Sequence, residues 1–149
     1  MKNQKIGVAM TGSFCTFSQV LPVIRQLARS NEVTVVLSPA AAETDTRFYR
    51  AEDLLRELEQ IPGISWIRLH YLYPDEMDDE LLETVAASRK VLHYFDIPIQ
   101  HINDRVLRDM NRRGGGQLIR ERIRRLRALM PDAILRTSLI VGFPGETEE

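Results

Sequence analysis

A single cysteine in 149 residues sets the first limit. Cys15 has no partner for an internal disulfide, and one thiol leaves no room for an iron–sulfur or cysteine-based zinc site that draws several thiolates from one chain. No apolar run approaches the roughly 20 residues that cross a bilayer. The opening MKNQK runs straight into a short strand instead of a signal peptide, so a cytoplasmic protein without membrane contact is expected. His70, His93 and His101 are too scattered for a metal motif, and neither an internal repeat nor a full glycine fingerprint is present. A net charge of −1 exerts no global pull toward nucleic acid.

What is present is the composition of an ordinary soluble domain: 44% hydrophobic and 28% charged residues, long enough for one core. The stretch KIGVAMTGSFCTFS organises the rest. Ile6, Val8, Ala9 and Met10 read as a strand buried on both faces. Thr11, Gly12 and Ser13 turn the chain, and Thr16 with Gln19 fits a capping box at the start of a helix. Amides and the positive end of a helix dipole then converge on the loop, as at phosphate sites. The candidate ligand-binding residues are therefore Thr11, Gly12, Ser13, Phe14, Cys15 and Thr16, with Ser38 and Pro39 beside them at the end of the second strand. FMN, or a bare phosphate or sulfate, is the ligand expected. The same small residues also serve a plain strand-to-helix turn.

Along the chain, Val20, Ile24 and Leu27 recur at helical spacing, and Pro22 should kink that helix or delay its regular part to Leu21. Residues 33–37 form a β-branched strand. A helix follows from Arg47 with Leu54, Leu58 and Ile61 inward, then a strand over 64–72 and a helix over 78–87 that opens with acid. Strand four spans 91–97, Asn103 caps a short helix to Met110, and Gly114, Gly115 and Gly116 break it. A helix over 117–130 leads to a fifth strand over 133–143. Strands and helices thus alternate five times, which implies a parallel sheet. An open five-stranded sheet of order 2-1-3-4-5, flavodoxin-like with helices on both faces, is the fold expected; a partial (β/α) barrel in sequential order is the alternative.

Other candidates are weaker. Cys15 at a helix N-terminus has no general base near it in sequence. Nine arginines crowd residues 105–127, but Asp104, Asp109 and Glu121 are interleaved and no aromatic residue offers stacking, so the stretch reads as a solvated face and nucleic acid is not expected. Glu146, Glu148 and Glu149 read as tail charge. Leu139, Ile140, Val141 and Phe143 should lie partly bare, which favours a homodimer.

Two resemblances meet within the chain. KIGVAMTGSFCTFSQVLPVIRQLA and TDTRFYRAEDLL resemble the flavoprotein-type subunit of dipicolinate synthase, over residues 5–53, which implies a Rossmann-like or flavodoxin-like sheet with the TGS loop at the phosphate end of a flavin. VLHYFDIPIQHINDRVLRDMNRRG and LRTSLIVGFPGETEE, with the segment between Leu54 and Ser88, resemble the middle of the radical SAM barrel of methylthiotransferases that modify a ribosomal protein or tRNA. The Cys-x3-Cys-x2-Cys loop that would hold that family's [4Fe-4S] cluster is missing. Two half-domains joined within one helix imply an engineered chimera spliced near 47–55, not an enzyme, with an inactive methylthiotransferase fragment as the alternative.

Overall fold

The computed structural model describes residues 2–47 and 49–147; Phe48 of the TDTRF segment and the tail acids Glu148 and Glu149 lie outside the described residues. Five parallel strands alternate with helices: β1 Lys5–Met10, α1 Phe17–Ala28, β2 Glu32–Leu37, α2 Pro39–Glu43, α3 Ala51–Glu59, β3 Ile64–Leu69, α4 Asp79–Ala87, β4 Tyr94–Asp96, α5 Asp104–Asp109, α6 Gly115–Leu129 and β5 Ile134–Arg136. β1 pairs with β2 and β2 with β3, while β4 pairs with β5. Between the two sets the sheet is joined by an isolated bridge from Ile67 to Val91. The strands therefore follow chain order, and β1 lies at an edge. This corrects the expected order 2-1-3-4-5 and matches the barrel-like alternative.

Burial explains the arrangement. Val33, Val35 and Leu37 of β2, Ile64, Ile67 and Leu69 of β3 and Phe95 of β4 belong to one apolar cluster with the inward stripes of the helices, such as Phe17, Leu21 and Ile24 of α1 and Leu81, Leu82 and Val85 of α4. The alternate residues turn to the other, concave face, where Lys5, Gly7, Ala9 and Trp66 are exposed. Helices thus cover one face, not both. β1 is half-buried instead of fully buried, its burial alternating along the strand.

Local differences have local causes. α1 runs unbroken through Pro22. The alanines after Pro39 form the short α2, because the Ser38 hydroxyl accepts from the Ala41 N–H at 3.3 Å and Pro39 sits at the first helical position. α3 starts at Ala51, not Arg47; Asp45 takes the Ala51 N–H at 2.9 Å. Gly115 and Gly116 lie inside α6, since Gly116 closes on the Ile102 carbonyl and donates to Asp104 at 2.7 Å. The fourth and fifth strands are shorter than their apolar runs. Beyond Arg136 one bridge, Gln100 to Leu139, continues the ladder, and Val141 is 86% exposed. Among the described residues no helix is long and apolar enough to cross a membrane.

Candidate active site

The loop singled out in the sequence does meet its expected neighbours. The Ser38 N–H donates to the Met10 carbonyl at 3.0 Å, and Gly12 lies against Ala40, so Ser38 and Pro39 border the loop Thr11–Thr16. Three of its donors bond within the loop. The Ser13 N–H donates to Thr11 at 2.8 Å, and both the N–H and the hydroxyl of Thr16 donate to the Ser13 carbonyl, at 3.0 and 2.7 Å. Thr16 makes no side-chain cap, so the capping box does not form. Phe14 turns onto Phe17, which meets Tyr49, and Cys15 is an exposed free thiol. These bonds give the loop the backbone compactness of a tight turn.

Charged groups gather instead on the concave face at the carboxyl ends of the strands. Parallel register places Ala9, Val36 and Arg68 side by side, and the Arg68 guanidinium lies 4.4 Å from the centre of the Tyr94 ring. Tyr94 and Asp96 share that face of β4, opposite Ile134 and Arg136 of β5. Asp96 is 1% exposed and pairs through Oδ2 with Arg136, whose own side chain is largely open to solvent. Its second oxygen, Oδ1, is buried without a hydrogen-bond partner, as is the Arg68 Nε. Buried polar atoms left unsatisfied cost about 1–3 kcal/mol each; two of these lie on this wall, and a third, the Arg122 Nε, lies on α6. Tyr71 after β3 and Gln100 after β4 hold left-handed backbone, φ +71° and +67°, a strain that clusters at functional sites.

Two loops are tied together above this wall. Glu146 accepts from the Gly142 and Phe143 N–H groups at 2.7 and 2.9 Å and meets His101 Nε2 at 3.2 Å. His101 Nδ1 accepts from the Asn103 N–H at 3.0 Å, so the tautomer with hydrogen on Nε2 donates to Glu146. These bonds, the Phe143 amide foremost, hold the Glu146 carboxyl below its usual range. Arg105 donates to the Gly145 carbonyl at 2.5 Å. Glu146 is thus a structural anchor and not tail charge. On the outer side, Glu52 is buried between Arg50 and Arg56, and burial pushes its carboxyl up. Tyr49, desolvated and bonded to Glu57, is raised to about 12.

The profile of the Radical SAM superfamily matches residues 13–149. The chain belongs to the radical SAM superfamily. It is similar to "Ribosomal protein uS12 methylthiotransferase RimO" from Syntrophotalea carbinolica, 58% identical over 97 residues that make up 65% of this chain and 21% of the relative. The relative of the same name from Alkaliphilus oremlandii is 43% identical over 138 residues, 90% of this chain and 32% of the relative. That from Aquifex aeolicus is 40% identical over 157 aligned residues, 92% and 35%. The chain spans about a third or less of these curated relatives. Among solved structures, archaeal Methanocaldococcus infernus Elp3 with an N-terminal deletion covers 99% of this chain and 40% of its own, at 15% identity and a TM-score of 0.48, a likeness too loose to bear on fold or function.

These findings overturn several expectations. The radical SAM match spans residues 13–149 and so includes the supposed splice at 47–55, and nothing shows a dipicolinate synthase resemblance, so the engineered chimera is set aside for a stretch of a radical SAM protein. The superfamily is one of enzymes, which corrects the expectation of a non-enzyme. Its cofactors are an iron–sulfur cluster and S-adenosylmethionine, which corrects both the FMN expectation and the exclusion of a cluster. The donors in this stretch can still be tested against that cluster. Laid with Cys15 at its centre, Cys-x3-Cys-x2-Cys falls on Thr11, Cys15 and Ser18, all exposed, the first two between β1 and α1 and the last in the first turn of α1. Hydroxyls are poor iron ligands beside thiolates, and no group of three His, Cys, Asp or Glu converges among the described residues. The residues present do not fit a three-thiolate cluster, and no step is derived through one.

Asp96 and Arg136 escaped the sequence reading because they lie 40 positions apart. One signal was available: Asp96 is an acid inside VLHYFDIPI, an apolar run that a strand buries.

Proposed function

We propose that this chain forms strands one to five of the barrel of a methylthiotransferase acting on a ribosomal protein, and that the concave face around Arg68, Tyr94, Asp96 and Arg136 receives S-adenosylmethionine. The observation that carries this is the buried, half-satisfied Asp96 carboxylate at the carboxyl end of β4, paired with an open arginine on β5. Carboxyl ends of parallel strands in (β/α) folds are where chemistry-bearing side chains collect. The relatives' printed activity supplies the substrate class. When bound, S-adenosylmethionine would supply the transferred methyl group; a radical would also require an electron from the superfamily's cluster, which the residues of this stretch do not fit. The chain's own residues bind and orient it: buried Asp96 holds the exposed Arg136 guanidinium on the concave face, and the Tyr94 ring, backed by Arg68, offers a flat wall.

Equilibrium dialysis with radiolabelled S-adenosylmethionine tests this on the purified chain. Saturable binding is expected, weakened at least tenfold by Asp96→Asn and by Arg136→Ala while far-UV circular dichroism stays unchanged. Absence of saturable binding, or two variants that bind as tightly as the wild type, refutes it.

A further inference from the structure

Residues 104–130 carry nine arginines and three acids, a surplus of six positive charges in a chain whose total is −1. The structure sorts them. Arg122 and Arg125 turn to α4, where Arg125 meets Asp79 at 3.2 Å and Glu83 at 2.7 Å. Arg105 is within 3.8 Å of Asp109, and Asp104 is spent on the Gly116 N–H. The acids that the sequence shows interleaved with the arginines therefore neutralise little beyond Arg105. Arg108, Arg113, Arg120 and Arg124 are exposed and have no carboxylate partner among the described residues. Arg127 donates only to the neutral carbonyls of Pro131 and Ala133. At 3.6 residues per turn, Arg120, Arg124 and Arg127 fall within about 60° of one another on the outer side of α6, roughly 6 Å apart along the axis for the first two. Glu121 is the acid left at the margin of that stripe.

We infer that the exposed arginine face of α6, with Arg113 leading into it, docks on the phosphate backbone of double-helical RNA. Unneutralised guanidinium groups at this spacing match a line of phosphates, which they grip bidentately. The face carries no aromatic residue, so it cannot stack on unpaired bases and reads backbone alone. Granting the ribosomal-protein substrate proposed above, on which this rests, the target sits within a particle built largely of RNA. The basic stripe lies on the convex, helix side of the sheet, away from the concave face that carries Arg68 and Arg136.

Fluorescence anisotropy with a fluorescein-labelled 16-base-pair RNA duplex tests this on the full chain. Three phosphate contacts predict a log–log salt slope near −2.7, an affinity loss of about 40-fold between 50 and 200 mM KCl. Arg120→Glu with Arg124→Glu is expected to weaken binding at least tenfold at 50 mM and to bring the slope toward −1. Lys2→Glu with Lys5→Glu, the same change in net charge on an exposed part of the chain away from α6, is expected to weaken it less than threefold. Equal losses in the two double variants, no binding at 50 mM, or competition by polyglutamate as effective per charge as by unlabelled duplex would overturn the RNA assignment; the last would make the partner an acidic protein. Binding of S-adenosylmethionine by the Arg120→Glu, Arg124→Glu variant separates failure here from failure of the proposed function.

Discussion

Gly63, in the turn before β3, sits where the start of that strand meets the end of α1. A Cβ added there would lie 2.6 Å from the Ala28 carbonyl carbon and 2.8 Å from the Ala28 Cβ, and closer still to the Ala28 carbonyl oxygen. Carbon atoms settle at about 3.5–4.0 Å, so the strand and the helix would have to part by roughly 1 Å. Neither side yields easily. The Gly63 carbonyl accepts the Val33 N–H of β2 at 3.0 Å, and Ala28, Ile24 and Leu21 are all buried in the core. Overpacking usually costs about 1–3 kcal/mol, and an obstacle made of backbone instead of a rotatable side chain puts Gly63→Ala at about 3–4 kcal/mol. For a chain of this length that lowers Tm by about 10 °C. Gly7→Ala is the matched control, because its Cβ would meet nothing within 4 Å; a neutral or slightly stabilising result is expected. Urea unfolding followed by circular dichroism gives both values. A Gly63→Ala protein within about 0.5 kcal/mol of the wild type, at unchanged m-value, would refute the reasoning.

The Asp96–Arg136 pair predicts strong coupling: Arg136→Ala strands a buried carboxylate and is expected to cost about 2–3 kcal/mol after allowance for the exposure of the arginine, while the double variant with Asp96→Asn recovers most of that, a double-mutant cycle measured by the same unfolding. An additive cycle would sink it. The Glu146 carboxyl, held below its usual range, stabilises the Gly142–Glu146 turn above the ordinary carboxylate pKa of about 4.3, and that contribution is lost as pH falls through the lowered folded value. Amide exchange at Gly142 and Phe143 should therefore stay protected at pH 6 and lose protection on acidification below about pH 4, and Glu146→Gln should abolish this pH dependence.

The elements were far more legible than their order. Val33, Thr34, Val35 and Val36 announce a strand by β-branching, and Asp78 announces α4, where its side chain accepts the Leu81 N–H at 2.8 Å. The same alternation of strands and helices serves an open sheet and a barrel, so the order had to come from β1. Its signal was present. Ile6, Val8 and Met10 alternate with Lys5, Gly7 and Ala9, the period-two pattern of a strand covered on one face, which the short apolar run masks. The run from Ile134 to Phe143 misled in the opposite sense: it is apolar enough for a long strand, yet only three residues pair regularly, because pairing depends on a neighbour that composition does not display. At the loop Thr11–Thr16 the Thr16 hydroxyl donates to the Ser13 carbonyl, a local turn contact in place of the capping box that its sequence suggests.

The junction between β3 and β4 has a mechanical consequence. Six register pairs join β1 to β2 and five join β2 to β3, whereas the next seam is spanned by the bonds Ile67 N–H to Lys90, Leu92 N–H to Ile67 and Leu72 N–H to Asp96. The sheet is therefore built as two blades on a narrow hinge, with α4 in the chain between them. Arg68 belongs to one blade, and Tyr94, Asp96 and Arg136 to the other, so the seam is closed less by backbone pairing than by side chains: Arg68 over Tyr94 on the concave face and one apolar core beneath both blades. Substitutions in the core under this seam, such as at Ile67 or Phe95, therefore bear on how the two blades stay joined.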